Sequence, residues 1–198
     1  MDIEIEWHWT NCFFLALVCL VVPLDWFICA VMAACFHELC HILAVLSLKG
    51  RLYGIRIGNF GTILDAVPME PVSELICILA GPAGSLFLWT LSQWSPKLAL
   101  CGVIQGMFNL LPVYPLDGGR ALFCLTELLW TRDMAVRLCD GVRHLFLIAI
   151  FVVGVVGIFA CDLGIFPVFV TTIFGFRTAF GKIPCNTGKL GVQYSYHL

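Results

Sequence analysis

Charge is scarce in this chain. Only 12% of its 198 residues are Asp, Glu, Lys or Arg, and the net charge is −2. So few basic residues leave no electrostatic footprint for nucleic acid, and no nucleic-acid partner is expected. The N-terminus, Asp2-Ile3-Glu4-Ile5-Glu6-Trp7, lacks the positive stretch that opens a signal peptide, so the first apolar segment is expected to be retained. Cys-x-x-Cys pairs are missing as well. Most of the 11 cysteines, Cys12, Cys19, Cys29 and Cys35 among them, lie in or at the ends of apolar runs and read as buried thiols, not as a disulfide framework. Internal repeats and low-complexity segments are absent.

Apolar residues are abundant instead. They make up 61% of the chain, and the mean hydropathy is +0.97, outside the range of a soluble domain. The fold expected is an all-α polytopic membrane protein, one domain over 1–198 with about six transmembrane helices. Apolar segments fall at about Trp9 to Val22, Trp26 to Leu48, Leu75 to Leu91, from Leu98 towards Asn109, Val142 to Ala160, and Leu163 to about Phe176 or Phe180. Between the fourth of these and the fifth, Ala121 to Arg137 reads as an amphipathic or interfacial helix.

Two stretches break this pattern. From Leu52 to Ala66 the chain alternates with a period of two around Asn59-Phe60-Gly61, which predicts a small interfacial β-hairpin after the second helix. Its free edge could hold an extended peptide by strand addition, or it could be an ordinary connection. From Asn109 to Arg120, two prolines and two glycines interrupt the helix. Broken backbone at membrane depth is tolerated where it lines a cavity or packs on protein, so this stretch is a candidate site.

Basic residues set the orientation. With six spans and a cytoplasmic N-terminus, ten of the 11 Lys and Arg residues lie in inside loops and Lys97 alone lies outside. Both termini are therefore expected in the cytoplasm. His41, eight residues before Lys49, would lie roughly 12 Å from that surface at 1.5 Å per residue.

The chemistry centres on Phe36-His37-Glu38-Leu39-Cys40-His41-Ile42, in a run from Trp26 to Leu48 free of Pro and Gly. On a helix, His37 and His41 project from one face about 6 Å apart, a spacing that suits two nitrogen ligands of one zinc. Glu38 stands beside them as a general base. An isolated acid near the midplane costs roughly 2.5–3.5 kcal/mol by insertion scales, so Glu38 and Asp117 each need a reason to be there. A structural zinc ion contributes roughly 10–16 kcal/mol in peptides, enough to offset such costs. Asp117, which ends the broken segment, is the best third ligand, although it could instead cap a turn with Gly118-Gly119. Asn109 could orient a substrate or satisfy backbone groups freed near the prolines. His8 and His144 lie near interfaces and are not read as ligands, and the small residues Ala80 to Ser85 read as helix packing.

These residues together resemble the site-2 protease family of intramembrane metalloproteases. The likeness is carried by His37-Glu38-Leu39-Cys40-His41, by Ala80-Gly81-Pro82, and by Asn109-Leu110-Leu111-Pro112 leading to Pro115-Leu116-Asp117-Gly118-Gly119-Arg120. It covers a catalytic core of about 26–120, and the compact form is most similar to the sporulation type that processes a pro-sigma factor. The resemblance implies one zinc held by His37, His41 and Asp117, with Glu38 as catalytic base and Asn109 close to the site. It implies a zinc metalloendopeptidase, integral and multi-pass in a bacterial cell membrane. Such an enzyme cuts a membrane-associated or transmembrane protein substrate near the cytoplasmic face and releases a regulatory protein such as a transcription factor. The lipid bilayer is a partner, and a membrane regulatory partner fits the same picture. Two positions depart from the family, which usually has Gly at Cys40 and Asn at Ser85. No PDZ insertion and no C-terminal regulatory domain are expected.

Two other classes stay open at this stage. A catalytically silent binder of membrane segments would not need Glu38. A metal transporter using the His and Asp residues would place ligands along a path and show repeat symmetry, and neither is evident.

Overall fold

The computed structural model describes residues 4–7, 22–50, 52–58, 61–66, 70–114 and 116–161. The sixth expected span and all but the end of the first lie outside these residues. The chain divides into two compact units, one through Asn109 and one beginning at Leu110.

In the first unit, helix α1 spans Leu24–Ser47, α2 spans Pro71–Phe87 and α3 spans Pro96–Asn109. Each packs against the other two. A 3-10 turn, Leu88–Leu91, closes α2. By length and composition, Leu24–Ser47 and Pro71–Leu91 could each cross a membrane. Their outward side chains fit that reading: Ile28, Met32, Leu39, Leu43 and Leu46 on α1 and Val72, Ile76 and Leu79 on α2 are exposed to whatever surrounds the protein. In lipid such a face carries no penalty.

Ends of these helices follow from local chemistry. Pro23 precedes α1, where a missing N–H is no loss, and Pro71 opens α2 for the same reason. At its C-terminus α1 closes with two reversed hydrogen bonds, Lys49 N to Leu46 O at 3.1 Å and Gly50 N to Val45 O at 2.8 Å. Lys49 takes φ 58° at the turning point, which is how Lys49-Gly50-Arg51 stops the helix. At the opposite end, Lys97 on α3 pairs with Asp25 on α1 and lies 5.6 Å from the centroid of the Trp26 ring. Those two helices therefore start from the same face of the unit.

Three strands complete the first unit. β1 is Glu4–Trp7, β2 is Leu52–Gly58 and β3 is Gly61–Ala66, in the order β1-β2-β3. β2 and β3 are antiparallel, with Gly58 opposite Gly61. β1 runs parallel to β2, with Ile5 opposite Ile55 and Trp7 opposite Ile57. This third strand has no counterpart in the sequence expectation.

The second unit corrects one expectation. Ala121 to Arg137 is not one helix, because residues 121–129 belong to one helix and residues 132–137 open the next. Helix α4 spans Asp117–Leu129, and α5 runs without a break from Arg132 to Cys161, so the expected fifth span is the later part of a longer helix. The division falls at Trp130-Thr131. Trp130 leaves helical geometry at φ −133° and ψ −128°, and the Thr131 hydroxyl accepts a hydrogen bond from Met134 N at 3.4 Å. Thr131 followed by Asp133 is an N-terminal cap signal, and it overrides the helical periodicity that runs through it. α4 and α5 pack on each other, with Arg132 bonded to Glu127 at 3.1 Å across the turn.

Close packing of α2 on α3 depends on two glycines of α3. A Cβ at Gly102 would lie 2.7 Å from the carbonyl oxygen of Ser85, a backbone atom that cannot swing aside, and one at Gly106 would lie 3.1 Å from the Ser85 Cβ. Gly102→Val is expected to destabilise the protein by about 1–3 kcal/mol, the usual range for overpacking. Gly141→Ala is the control, since nothing lies within 4 Å of the added methyl. Thermal denaturation in detergent should show a lower midpoint for the first variant and none for the second.

Candidate metal centre

In the first unit the site is a contact between α1 and α2. His37 and His41 sit one turn apart on α1 and are buried, at 3% and 7% exposure. Facing them on α2, Cys77, Gly81 and Ser85 recur at intervals of four and form a stripe of their own. The two stripes run in opposite senses. His41 Nδ1 donates to the Cys77 carbonyl oxygen at 2.8 Å, and His37 Nδ1 lies 2.8 Å from Ser85 Oγ. Pro82 cannot bond to the carbonyl four residues back, so the hydrogen-bond ladder of α2 is interrupted beside Cys77.

With both Nδ1 atoms engaged, both Nε2 atoms face one another at 3.2 Å, in rings that meet edge to face at 82°. Two imidazole ligands of a tetrahedral zinc, each about 2.0–2.1 Å from the metal, have their nitrogens about 3.3–3.4 Å apart. The pair is already at that separation. Second bonds from Nδ1 to a carbonyl and a hydroxyl are the usual way in which ligating histidines are held.

Gly81 makes room for this arrangement. A Cβ there would lie 2.5 Å from His41 Cε1 and closer still to Nε2, inside the ring's own contact distance. Gly84 does the same for Cys40, whose Sγ packs against it. Glu38, next to His37 in sequence, is half-buried on α1.

The third candidate ligand, in the second unit, stands at the start of α4. Asp117 is the first residue of that helix and is buried, at 8% exposure. The capping position itself belongs to Leu116, so a side-chain cap is not what holds Asp117 in place. A carboxylate in the first turn is favoured by the helix dipole. Arg120 Nη1 lies 3.8 Å from its Oδ1. The irregular stretch before it folds tightly, with Val113 N on Leu111 O at 2.7 Å and Leu116 N on Val113 O at 2.9 Å. It packs directly on the paired glycines: a Cβ at Gly118 would lie 2.5 Å from Leu111 O, and one at Gly119 would lie 2.7 Å from Val113 O. Asn109 is half-buried at the end of α3.

By donor type and burial, His37, His41 and Asp117 are each suited to ligate a metal ion. His144 is occupied elsewhere, its Nδ1 donating to Asp140 O at 2.6 Å on its own helix. Sequence reasoning treated Ala80 to Ser85 as packing and so missed Ser85 and the Cys77 carbonyl as partners of the histidines. A signal was available: Ser85 is a polar residue at two helical turns from Cys77 on an apolar helix.

The model of Peptidase family M50 matches residues 60–153, a range that includes Asp117 and begins beyond His41. Comparison with curated proteins gives no match. Among solved structures, the chain is similar to the site-2 protease from Methanocaldococcus jannaschii, with a TM-score of 0.64 and 20% identity over 96% of each chain. The fold is that of a site-2 protease. The family match covers just under half of the chain and the structural likeness shows the fold alone, so what they give is a likeness to a family of membrane metalloproteases that use zinc. The His-His-Asp donor set fits such a group on its own chemistry, because two nitrogens and one oxygen leave a position free, as catalytic zinc sites require.

Two substitutions probe the two units separately. Gly81→Ala should push the His41 ring off the Cys77 carbonyl and weaken zinc binding by at least the roughly 10–100-fold typical of losing an outer partner. Gly118→Ala should displace Leu110-Leu111 from α4 and weaken binding through Asp117. Competition with a zinc chelator reads both, against the Gly141→Ala control.

Proposed function

We propose that the protein is an intramembrane zinc metalloendopeptidase whose catalytic core covers about 26–120. It hydrolyses a peptide bond of a membrane-associated or transmembrane protein near the cytoplasmic face. The observation that carries this reading is the His37–His41 pair, with Nε2 atoms 3.2 Å apart and Nδ1 atoms both committed. His37, His41 and Asp117 hold the metal, one ion per chain. When bound, zinc supplies a Lewis acid that polarises the scissile carbonyl.

The remaining chemistry belongs to this chain's own residues. Glu38 takes a proton from the attacking water and delivers it to the nitrogen of the leaving amine, a task that typically contributes about 10²–10⁴-fold. Asn109 orients the substrate backbone by its amide. The substrate reaches the site extended, and the outer edge of the β2–β3 pair offers backbone groups to hold it so.

Six spans with cytoplasmic termini remain the topology proposed. The parallel pairing of β1 with β2 supports it, since residues 7 and 52 then lie on one side of the membrane and the crossings between them are even in number. The start of α1 and α3 from a common face agrees with the same count. The product is a released regulatory protein in a bacterial cell, and the family resemblance favours a transcription factor of the sporulation type.

The test is purification with a candidate membrane-tethered substrate and measurement of bound zinc. Glu38→Gln should keep about one zinc per chain and lose cleavage by at least about 10²-fold. Cleavage surviving in that variant contradicts the proposal.

A further inference from the structure

We propose that Cys29 and Cys101 are a redox-active thiol pair that closes into a disulfide between α1 and α3. The pairing rests on the fold of the first unit alone. Only the side of the membrane it faces rests on the topology above.

The helix starts set the register. Asp25 on α1 and Lys97 on α3 are in contact, and the two helices pack on one another, so they run side by side in the same sense. Four residues on, each helix has risen about 6 Å and turned about 40° past a full circle. That step leads from Asp25 to Cys29 and from Lys97 to Cys101. The next-turn neighbour of the ion pair is a thiol on both helices, and the two sulfurs lie within electrostatic reach of each other. Ala33, one turn beyond Cys29, is fully buried, so this face of α1 points into the protein. Packed helices have axes about 8–10 Å apart and Cα atoms about 2.3 Å off axis, which brings facing Cα atoms within about 4–6 Å. A disulfide requires about 4.4–6.8 Å. Both thiols are free and partly exposed, so a reagent can reach them.

Closure needs an oxidant with a disulfide of its own, such as oxidised glutathione or a thiol–disulfide oxidoreductase. One thiolate of the pair attacks that disulfide and expels one of its sulfurs as a thiol. The second attacks the mixed disulfide so formed and expels the other. Cys29 and Cys101 give up two electrons and two protons, and the oxidant takes up both as two thiols. On the proposed topology these helix ends face away from the cytoplasm, the side on which disulfides persist. His37 follows eight residues after Cys29, roughly 12 Å at 1.5 Å per residue, so the bridge ties down the zinc-binding helix without touching its ligands.

The experiment uses the full chain in detergent micelles, which have no sides, so its result stands whatever the topology. The protein is treated with oxidised glutathione or with dithiothreitol, alkylated with iodoacetamide, digested and weighed by mass spectrometry. Alkylation should be lost at Cys29 and Cys101 together after oxidation, with their two peptides joined and two hydrogens missing. Dithiothreitol should restore it. Cys29→Ser should leave Cys101 unbridged, alkylated or held as the mixed disulfide with glutathione, and Cys35→Ser should leave the bridge intact. The wild-type masses decide the matter even where Cys29→Ser does not fold. Oxidised wild-type protein with both thiols still alkylated, or with either one bridged to another cysteine, overturns the inference and leaves the zinc reading standing.

Discussion

A neutral imidazole offers one N–H and one lone pair, and a helix that buries two imidazoles in apolar surroundings has to find partners for all four groups. The contact between α1 and α2 meets that constraint with two atoms of α2, the Cys77 carbonyl oxygen and the Ser85 hydroxyl. Everything else about the first unit is arranged so that these atoms arrive. Gly81 lets α2 approach until the His41 ring lies on its backbone, and Pro82 interrupts the ladder beside Cys77. Gly102 and Gly106 let α3 press on Ser85 from behind. The consequence is directional. Once Nδ1 is taken, Nε2 is the only nitrogen either ring can present, and the two are held within reach of one ion.

The start of α4 meets a similar constraint with different means. A buried carboxylate is costly in apolar surroundings, and Asp117 is held at a helix N-terminus where the dipole favours its charge. The loop before it has no regular structure of its own. It is fixed by packing its backbone against Gly118 and Gly119, where any side chain would intrude. Two glycines in succession are therefore a requirement of the loop, and the loop sets where the carboxylate begins.

Much of this was readable from residues alone. His37 and His41 on one apolar helix announce their common face, because a period of 3.6 leaves no other arrangement. Asp117 stood out as an acid beside broken backbone in an apolar chain. The partners of the histidines were harder to see. A backbone carbonyl leaves no trace in a sequence, and Ser85 sits among glycines and alanines that serve close packing as well. The break at Trp130-Thr131 escaped because apolar residues continue through it, and only the Thr131 cap marks the division. Strand β1 escaped for a different reason: four residues pair with a partner far along the chain, a long-range choice that local alternation in Glu4–Trp7 does not specify.

Function then depends on donor identity more than on fold. Helices of this length and apolarity serve many membrane proteins, but a proposed centre of nitrogen and oxygen donors, in a chain that has 11 cysteines to offer instead, is a narrow condition. Zinc K-edge X-ray absorption of the purified protein tests it most directly. The account expects a first shell of nitrogen and oxygen at about 2.0–2.2 Å with the outer scattering of two imidazoles. A sulfur shell at about 2.3 Å would assign the metal to cysteine and contradict it.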